Sequence, residues 1–468
     1  MVMKTKTFLS AIFSVLLLNS CGGGGQHDAS VDTDTVAPAA STPEVAHPDN
    51  SLNDAPEWAG PATMYEVNVR QFSKDGTLNT FSKSIPRLKN MGVDILWFMP
   101  VQPIGVENRK GSLGSYYSIS DYTAVNPEFG TMDDFKKTVK MAHSMGMKVI
   151  LDWVANHSAF DNAWAKDHPE WYTQDENGNI IPPNPDWSDV ADLNYDNEDM
   201  RKAMLDAMKF WITEADIDGF RCDVAGEVPQ DFWDDAIREL RGMKEVFMLA
   251  EWDEPMMHSS FNASYAWGFH HQLMEIGKGA HNLDDLRKFL VEEDEKYADD
   301  AFKLRFTTNH DENTWKGSET ELFGPLTRNF QALIFATPGI PLMYSGQESV
   351  LDQRLEFFEK DEIDWKRYAL VDFFSKLNEI KAENPALHGG EFGGSFSFVG
   401  EDCSNGVMAF DRIKGENHVR FIMNCTDAAQ DITAYLDGTP NDLSLMDGTN
   451  FSGPNLGAYD FVMLQMNE

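Results

Sequence analysis

"GFRCDV", residues 219–224, has the apolar weight of a buried strand, yet an arginine and an aspartate stand inside it. Residues two apart on a strand point to one side. Arg221 and Asp223 therefore share one face, and Phe220 and Cys222 share the other. Burying an ion pair costs desolvation that apolar packing avoids. The charged face is thus expected to look onto a functional cavity, with Cys222 packed against helices as buried cysteines commonly are.

Similar strands recur on both sides of this stretch. "MYEVNVRQF" (64–72), "VDILWFMP" (93–100), "MKVILDWVANH" (147–157), "VFMLAEW" (246–252), "KLRFTTNHDENT" (303–314) and "GIPLMYSGQE" (339–348) all read as strands. "SYAWGFH" (264–270) is the weakest of the set and stands as the sixth of eight. Helical stretches separate them, among them Phe81 to Met91, Met132 to Met145, Met200 to Ala215 and Phe232 to Met243. Apolar strands alternating with helices predict a parallel sheet covered on both faces. Eight such units predict a closed barrel. A doubly wound sheet is disfavoured, because no glycine-rich phosphate loop follows the first strand. Residues 157–195 break the rhythm with "DENGNIIPPNPDW" and read as an excursion from the third strand. From about Asn384 short strands and turns predict a separate β domain over 385–468.

In a barrel of this kind reactive groups gather at the C-terminal ends of strands. Asp152, Asn156 and His157 follow the third strand, Arg221 and Asp223 end the fourth, and Glu251 ends the fifth. Asn309, His310 and Asp311 end the seventh. Arg221 is expected to lower the pKa of Asp223 and keep it ionised, as a nucleophile requires. Neighbouring strands lie ~4.8 Å apart, so Asp223 and Glu251 fall near the ~5–5.5 Å separation of a retaining glycosidase. Crowding by Asp223 and Asp311 should raise the pKa of Glu251 and keep it protonated as a general acid.

"LDWVANH", "GFRCDV", "LAEW" and "TTNHD" resemble, in order and spacing, the four short motifs of the alpha-amylase family, glycoside hydrolase family 13. "ADLN" (191–194) resembles its fifth motif, and "GSYYSISDY" (114–122) the segment bearing its stacking tyrosine. The resemblance runs from about Tyr65 to the C-terminus. It implies an α/β fold: an interrupted (β/α)8 TIM barrel over 58–384, a short B domain (157–195) after strand three, and a C-terminal all-β sandwich. It also implies hydrolysis of α-1,4-glucosidic bonds with retention. By motif position Asp223 resembles the nucleophile, Glu251 the acid/base and Asp311 the transition-state stabiliser. Arg221 resembles the residue that orients the nucleophile, and Tyr117, His157 and His310 resemble substrate contacts.

Gly226-Glu227 stands where many members carry a Lys-His pair whose histidine backbone helps hold calcium. "DVAGEV" instead resembles the neopullulanase and cyclomaltodextrinase branch. No cofactor is required on this reading, and calcium, with Asn156 as its candidate ligand, stays an open alternative. The long N-terminal dimerisation domain of that branch has no counterpart, so a monomer is expected. A glucanotransferase and a non-catalytic glucan-binding protein are the competing functions.

The chain carries 76 acidic and 38 basic residues, a formal net charge of −38. That charge disfavours nucleic acid or an anionic membrane surface as partner and suits a neutral or cationic ligand, or simply solubility; the α-glucan partner is what the resemblance implies. Lys4 and Lys6 precede an apolar run from Phe8 to Leu18 and then "LLNSC", which reads as a signal peptide (1–21) with a lipobox at Cys21. Residues 22–57 read as a flexible linker. Export as an outer-membrane or cell-surface lipoprotein is expected, with a periplasmic or secreted protein as the alternative and the lipid as the sole membrane contact. Cys403 and Cys425 flank a predicted hairpin in which Arg412 would oppose His418. A disulfide between them and two inert thiols are equally compatible with the sequence.

Overall fold

The computed structural model describes residues 52–365, 368–436, 444–445 and 453–466. The signal-peptide, lipobox and most of the linker assignments lie outside these residues. The last linker residues are tied down, since Asn262 Nδ2 donates to the carbonyls of Asn53 and Asp54 (3.0 and 2.9 Å).

Eight strands close into a parallel barrel: β1 (Met64–Val67), β2 (Ile95–Phe98), β3 (Lys148–Trp153), β4 (Gly219–Cys222), β5 (Phe247–Ala250), β6 (Ala263–Tyr265), β7 (Phe302–Arg305) and β8 (Ile340–Tyr344). Each pairs with its neighbours in chain order, and β1 closes on β8. Alternation sorts the side chains into two cores. Met64, Ile95, Trp97, Ile150, Leu249, Tyr265, Leu304 and Leu342 fill the interior. Phe220 and Cys222 belong to the outer core with the helices, so the two faces of β4 divide as the i, i+2 rule requires. Gly219 opens β4 because any side chain would collide with β5: a Cβ there would lie 1.9 Å from the Phe247 carbonyl oxygen.

Several strands are shorter than their apolar runs. β1 stops at Val67, because Asn68 caps a helical turn (Val69–Phe72) by accepting from the Gln71 N–H. Within the predicted helix 81–91, Pro86 lacks an N–H and marks a fresh start, so the regular helix covers Ile85–Asn90. The sixth strand ends at Tyr265. "WGFH" opens the helix Trp267–Gly277, whose Gly268 N–H is held by Asp253 Oδ2 at 2.8 Å. Between β5 and β6 the described crossover is the short 3₁₀ helix Pro255–Ser259 rather than an α-helix.

The excursion after β3 is pinned at its neck, where His157–Ser158 pairs with Ala191–Asp192. The C-terminal region is all β, with an antiparallel sheet ordered Ser395–Val399, Val407–Lys414, Asn417–Asn424, Phe461–Gln465 and Ser444–Leu445. One face of this sheet packs against Ile432, Tyr435 and Leu456, which lie in or beside a second, two-stranded layer. Phe410, Phe421 and Met463 join the core of the barrel helices. In the hairpin Arg412 opposes Val419, not His418. The two-residue turn Gly415-Glu416, with Gly415 at φ 59°, sets Lys414 opposite Asn417 and shifts the register by one. Cys403 and Cys425 are both free thiols.

Candidate active site

Strand register delivers the carboxyls to one place. Cys222 pairs with Ala250, so Asp223 and Glu251 leave adjacent strands side by side just past their paired ends. The Arg221 guanidinium is fully buried and holds three carboxylates together. Its Nη1 lies 2.9 Å from Asp152 Oδ1 and 3.0 Å from Asp223 Oδ1. Its Nη2 lies 2.9 Å from Glu251 Oε1, a close contact out of line for a hydrogen bond. Its Nε donates to the Tyr265 hydroxyl at 3.0 Å, which fixes the plane of the fork. The opening stretch thus carries an arginine because one planar cation can orient several carboxylates at once.

Val224 follows at φ 38°, a left-handed conformation disfavoured for a β-branched residue. Its N–H donates to Glu251 Oε2 at 2.8 Å, so the strained turn is tied to the neighbouring carboxyl. Two residues on, a Cβ at Gly226 would lie 2.1 Å from the Trp252 ring. Glycine at the position of the Lys-His pair is what allows Trp252 to pack there.

Burial is the largest influence on both carboxyls. It pushes Asp223 up to about 6: Arg221 pulls the other way, and Asp152 and Asp311 add to the rise. The lowering expected from Arg221 is therefore overturned by desolvation. Burial carries Glu251 further, to about 8, with Arg221 opposing and Asp223 and Asp311 reinforcing. The two environments leave Asp223 ionised and Glu251 protonated near neutral pH, the split that assigns distinct roles to paired acids. His157 is buried and driven down to about 3, hence neutral. Asn156 Nδ2 faces its Nδ1 at 3.3 Å, leaving Nε2 as the protonated nitrogen, 4.0 Å from Asp223 Oδ2.

A cavity of about 370 Å³ opens over these groups. Tyr117, His157, Asp223, Glu251 and Asp311 all line it, while Arg221 and His310 lie beneath. Tyr117 stacks on His310 (5.3 Å between centroids, 20°) and donates to Asp152 Oδ2 at 3.1 Å. Asp311 accepts from Trp315 Nε1 at 3.2 Å. Tyr117, His157, Arg221, Asp223, Glu251, His310 and Asp311, singled out in the sequence, all converge here, whereas Asn156 and Asn309 do not line the cavity.

The sequence reading missed the apolar walls, Trp187, Trp315, Phe357 and Phe358, and the Lys110–Asp189 pair at 2.9 Å that also borders the cavity. Apart from Trp315, on the short π-helical turn Glu312–Lys316, these lie in loops without periodicity. It also missed Glu66, a charged residue inside the apolar strand "MYEV". That is the same signal that singled out Arg221. A second cavity, of about 380 Å³, continues from Val224 and Glu251 past Trp252, Asp253, Glu254 and Trp267. The side-chain amide nitrogen of Asn156 faces His157, and its backbone carbonyl accepts from the Leu193 N–H at 3.2 Å. Among the described residues no group of three or more His, Cys, Asp or Glu side chains converges as metal ligands.

The alpha-amylase catalytic-domain family matches residues 48–187 and 183–369. The chain belongs to the alpha-amylase family. It is 28% identical over 357 residues to alpha-amylase MalA of Haloarcula japonica, covering 71% of this chain and 50% of that protein. It is 28% identical over 421 residues to an alpha-1,4-glucan:maltose-1-phosphate maltosyltransferase of Arcanobacterium haemolyticum, covering 79% and 58%. The chain thus spans between half and three-fifths of the length of these two relatives. A crystal structure of the maltogenic alpha-amylase AmyB from Thermotoga neapolitana superposes with a TM-score of 0.78 at 29% identity, covering 87% of this chain and 99% of that one. Its relatives in the alpha-amylase family include both alpha-amylases and a maltosyltransferase.

Proposed function

We propose that this protein hydrolyses α-1,4-glucosidic bonds of starch-like glucans or maltooligosaccharides with retention of configuration. The supporting observation is the pair Asp223 and Glu251, clamped on one guanidinium with their proton affinities split. Two carboxyls on adjacent strands and against one guanidinium suit the close spacing of a retaining enzyme better than the wider gap of an inverting one. In the first step Asp223 attacks the anomeric carbon. The glucosidic C–O bond breaks, and Glu251 gives its proton to the leaving oxygen. In the second step Glu251, now a carboxylate, takes a proton from water. That water attacks the anomeric carbon and releases Asp223. Asp311 faces the developing positive charge, Arg221 orients the nucleophile, and Tyr117, His157 and His310 hold the sugar.

The second cavity supports a further reading, transfer to a sugar acceptor. It begins at the acid/base, and its walls carry Trp252 and Trp267. Indole faces stack on sugars as readily as on other flat apolar surfaces. Incubation with soluble starch, pullulan and cyclodextrin, followed by chromatography of the products, tests the assignment. A ladder from starch alone is the expected result. Rapid cleavage of pullulan or cyclodextrin would place the protein with the neopullulanase-like branch. Products longer than the substrate on adding maltose would favour transfer, and no product from any of the three substrates would overturn the reading.

Two expectations follow. The pH profile of kcat/KM should be a bell, rising through about 6 as Asp223 ionises and falling through about 8 as Glu251 loses its proton. A rate still climbing at pH 9 would contradict the acid role. Prolonged treatment with a calcium chelator should leave both rate and melting temperature unchanged, because no step uses a metal. A fall in either, restored by calcium, would show a calcium site, with Asn156 as the candidate ligand. We further propose that the chain works as an exported, lipid-anchored monomer. Loss of membrane association in Cys21→Ser, with activity kept, is the check on the anchor.

A further inference from the structure

Beneath the pocket lies a buried carboxylate that no step above uses. Glu66, on β1, is fully buried, and its Oε1 lies 2.6 Å from His310 Nδ1. Its other oxygen, Oε2, has no hydrogen-bond partner. An acid placed there is costly unless a cation or strong donor meets it.

A proton inventory identifies that partner. Asp152 accepts from Arg221 Nη1 on Oδ1, and from Trp97 Nε1 and Tyr117 Oη on Oδ2, both at 3.1 Å. Arginine and tryptophan are donors only. The Tyr117 hydroxyl stays protonated, because burial foremost, and then Asp152, raises it well above its ordinary value. Having given its single proton to Asp152, it can only accept at its other contact. That contact is His310 Nε2, at 2.7 Å, so Nε2 carries a proton. Nδ1 faces the Glu66 carboxylate and carries one too.

We propose that Glu66 is a positioning residue that holds His310 as a doubly protonated imidazolium, with its Nε2–H aimed at Tyr117 and Asp311. Arg221 and His310 are then two buried cations beneath a pocket lined by three carboxyls. His310 Nε2 also lies 3.3 Å from Asp311 Oδ2. Burial opposes the charge on His310, but Asp311 and then Glu66 outweigh it and hold the ring up at about 9. The charged or titratable groups facing the ring are Glu66 from β1, Tyr117 from the loop after β2, Asp152 from β3, Arg221 from β4, and Asp311 and Glu312 from its own loop.

The role of His310 in turnover rests on the function proposed above, but its protonation does not, and the test separates them. Nitrogen-15 NMR of the histidine rings in the full chain, with His310 assigned by its disappearance in His310→Gln, should show mostly two ring protons at pH 8.5. Glu66→Gln keeps the shape and removes the charge. Losing an opposite charge moves a pKa by about 1–3 units, so the variant should show a single ring proton at that pH. The alkaline limb of its kcat/KM, set near 8 by Glu251 in the wild type, should move to lower pH as loss of the His310 proton comes to set it. Glu66→Asp should restore part of the shift. A singly protonated wild-type ring, or a Glu66→Gln variant that keeps both protons, would overturn the proposal. A lowered melting temperature with an unmoved pH profile would also overturn it, leaving a structural role. Two ring protons in an enzyme without glucan activity would sustain the pair and sink the function.

Discussion

Asp223→Asn is expected to lower kcat by about 10⁴-fold or more, the scale on which removing a nucleophile acts. The fold should survive. Asparagine keeps the shape of the side chain, and Arg221 retains Asp152 and Glu251 as partners. Stability should even rise at neutral pH, and the sign can be worked through. Burial raises Asp223 to about 6 in the folded chain, against about 3.9 when unfolded. The charged carboxylate therefore disfavours folding, by an amount absent below the unfolded value and complete above about 6. The variant should melt at or above the wild-type temperature at pH 8, with the difference vanishing below about pH 4. Calorimetry at the two pH values, with rates on maltooligosaccharides, checks both halves. Near wild-type rates in pure protein would remove Asp223 from the mechanism.

Glu251→Gln is expected to separate the two chemical steps. On natural glucans, whose leaving oxygen is a poor one, losing the general acid should cost about 10²–10⁴-fold. On an α-glucosyl fluoride the first step needs little protonation and should proceed. The second step still needs a base, so the covalent intermediate should accumulate as a burst. Azide requires no base to attack and should restore turnover, yielding the α-glucosyl azide. Equal losses on both substrates, with no burst and no rescue, would remove Glu251 from the acid/base role. The contrast with Asp223→Asn, where neither a good leaving group nor azide should restore the retaining reaction, makes the two assignments independent.

The arrangement shows how a charged residue in an apolar strand can be read. In "GFRCDV" the alternation alone placed Arg221 and Asp223 on the interior face and Cys222 among the helices, as observed. The same logic applied to "MYEV" would have found Glu66. The polar residues at the strand ends were legible because a barrel brings all such ends to one rim.

What was not legible depends on contacts distant in sequence. Trp267 begins a helix rather than extending β6, because Asp253, fifteen positions earlier, holds the Gly268 N–H. The pocket walls come from loops placed by tertiary contacts such as Lys110 with Asp189. The pKa of Asp223 was misjudged because the arginine is visible in the sequence, whereas the degree of burial that outweighs it is not.

The central claim is that Asp223 becomes covalently bonded to the sugar. The most direct test is to incubate the enzyme with a 5-fluoro-α-glucosyl fluoride, which slows release of the intermediate more than its formation. The protein is then digested and the peptides weighed. The account predicts one added fluoroglucosyl group, on the peptide containing Asp223, lost on incubation with an acceptor. An enzyme that turns over this substrate with no adduct, or with the adduct on another residue, would contradict it.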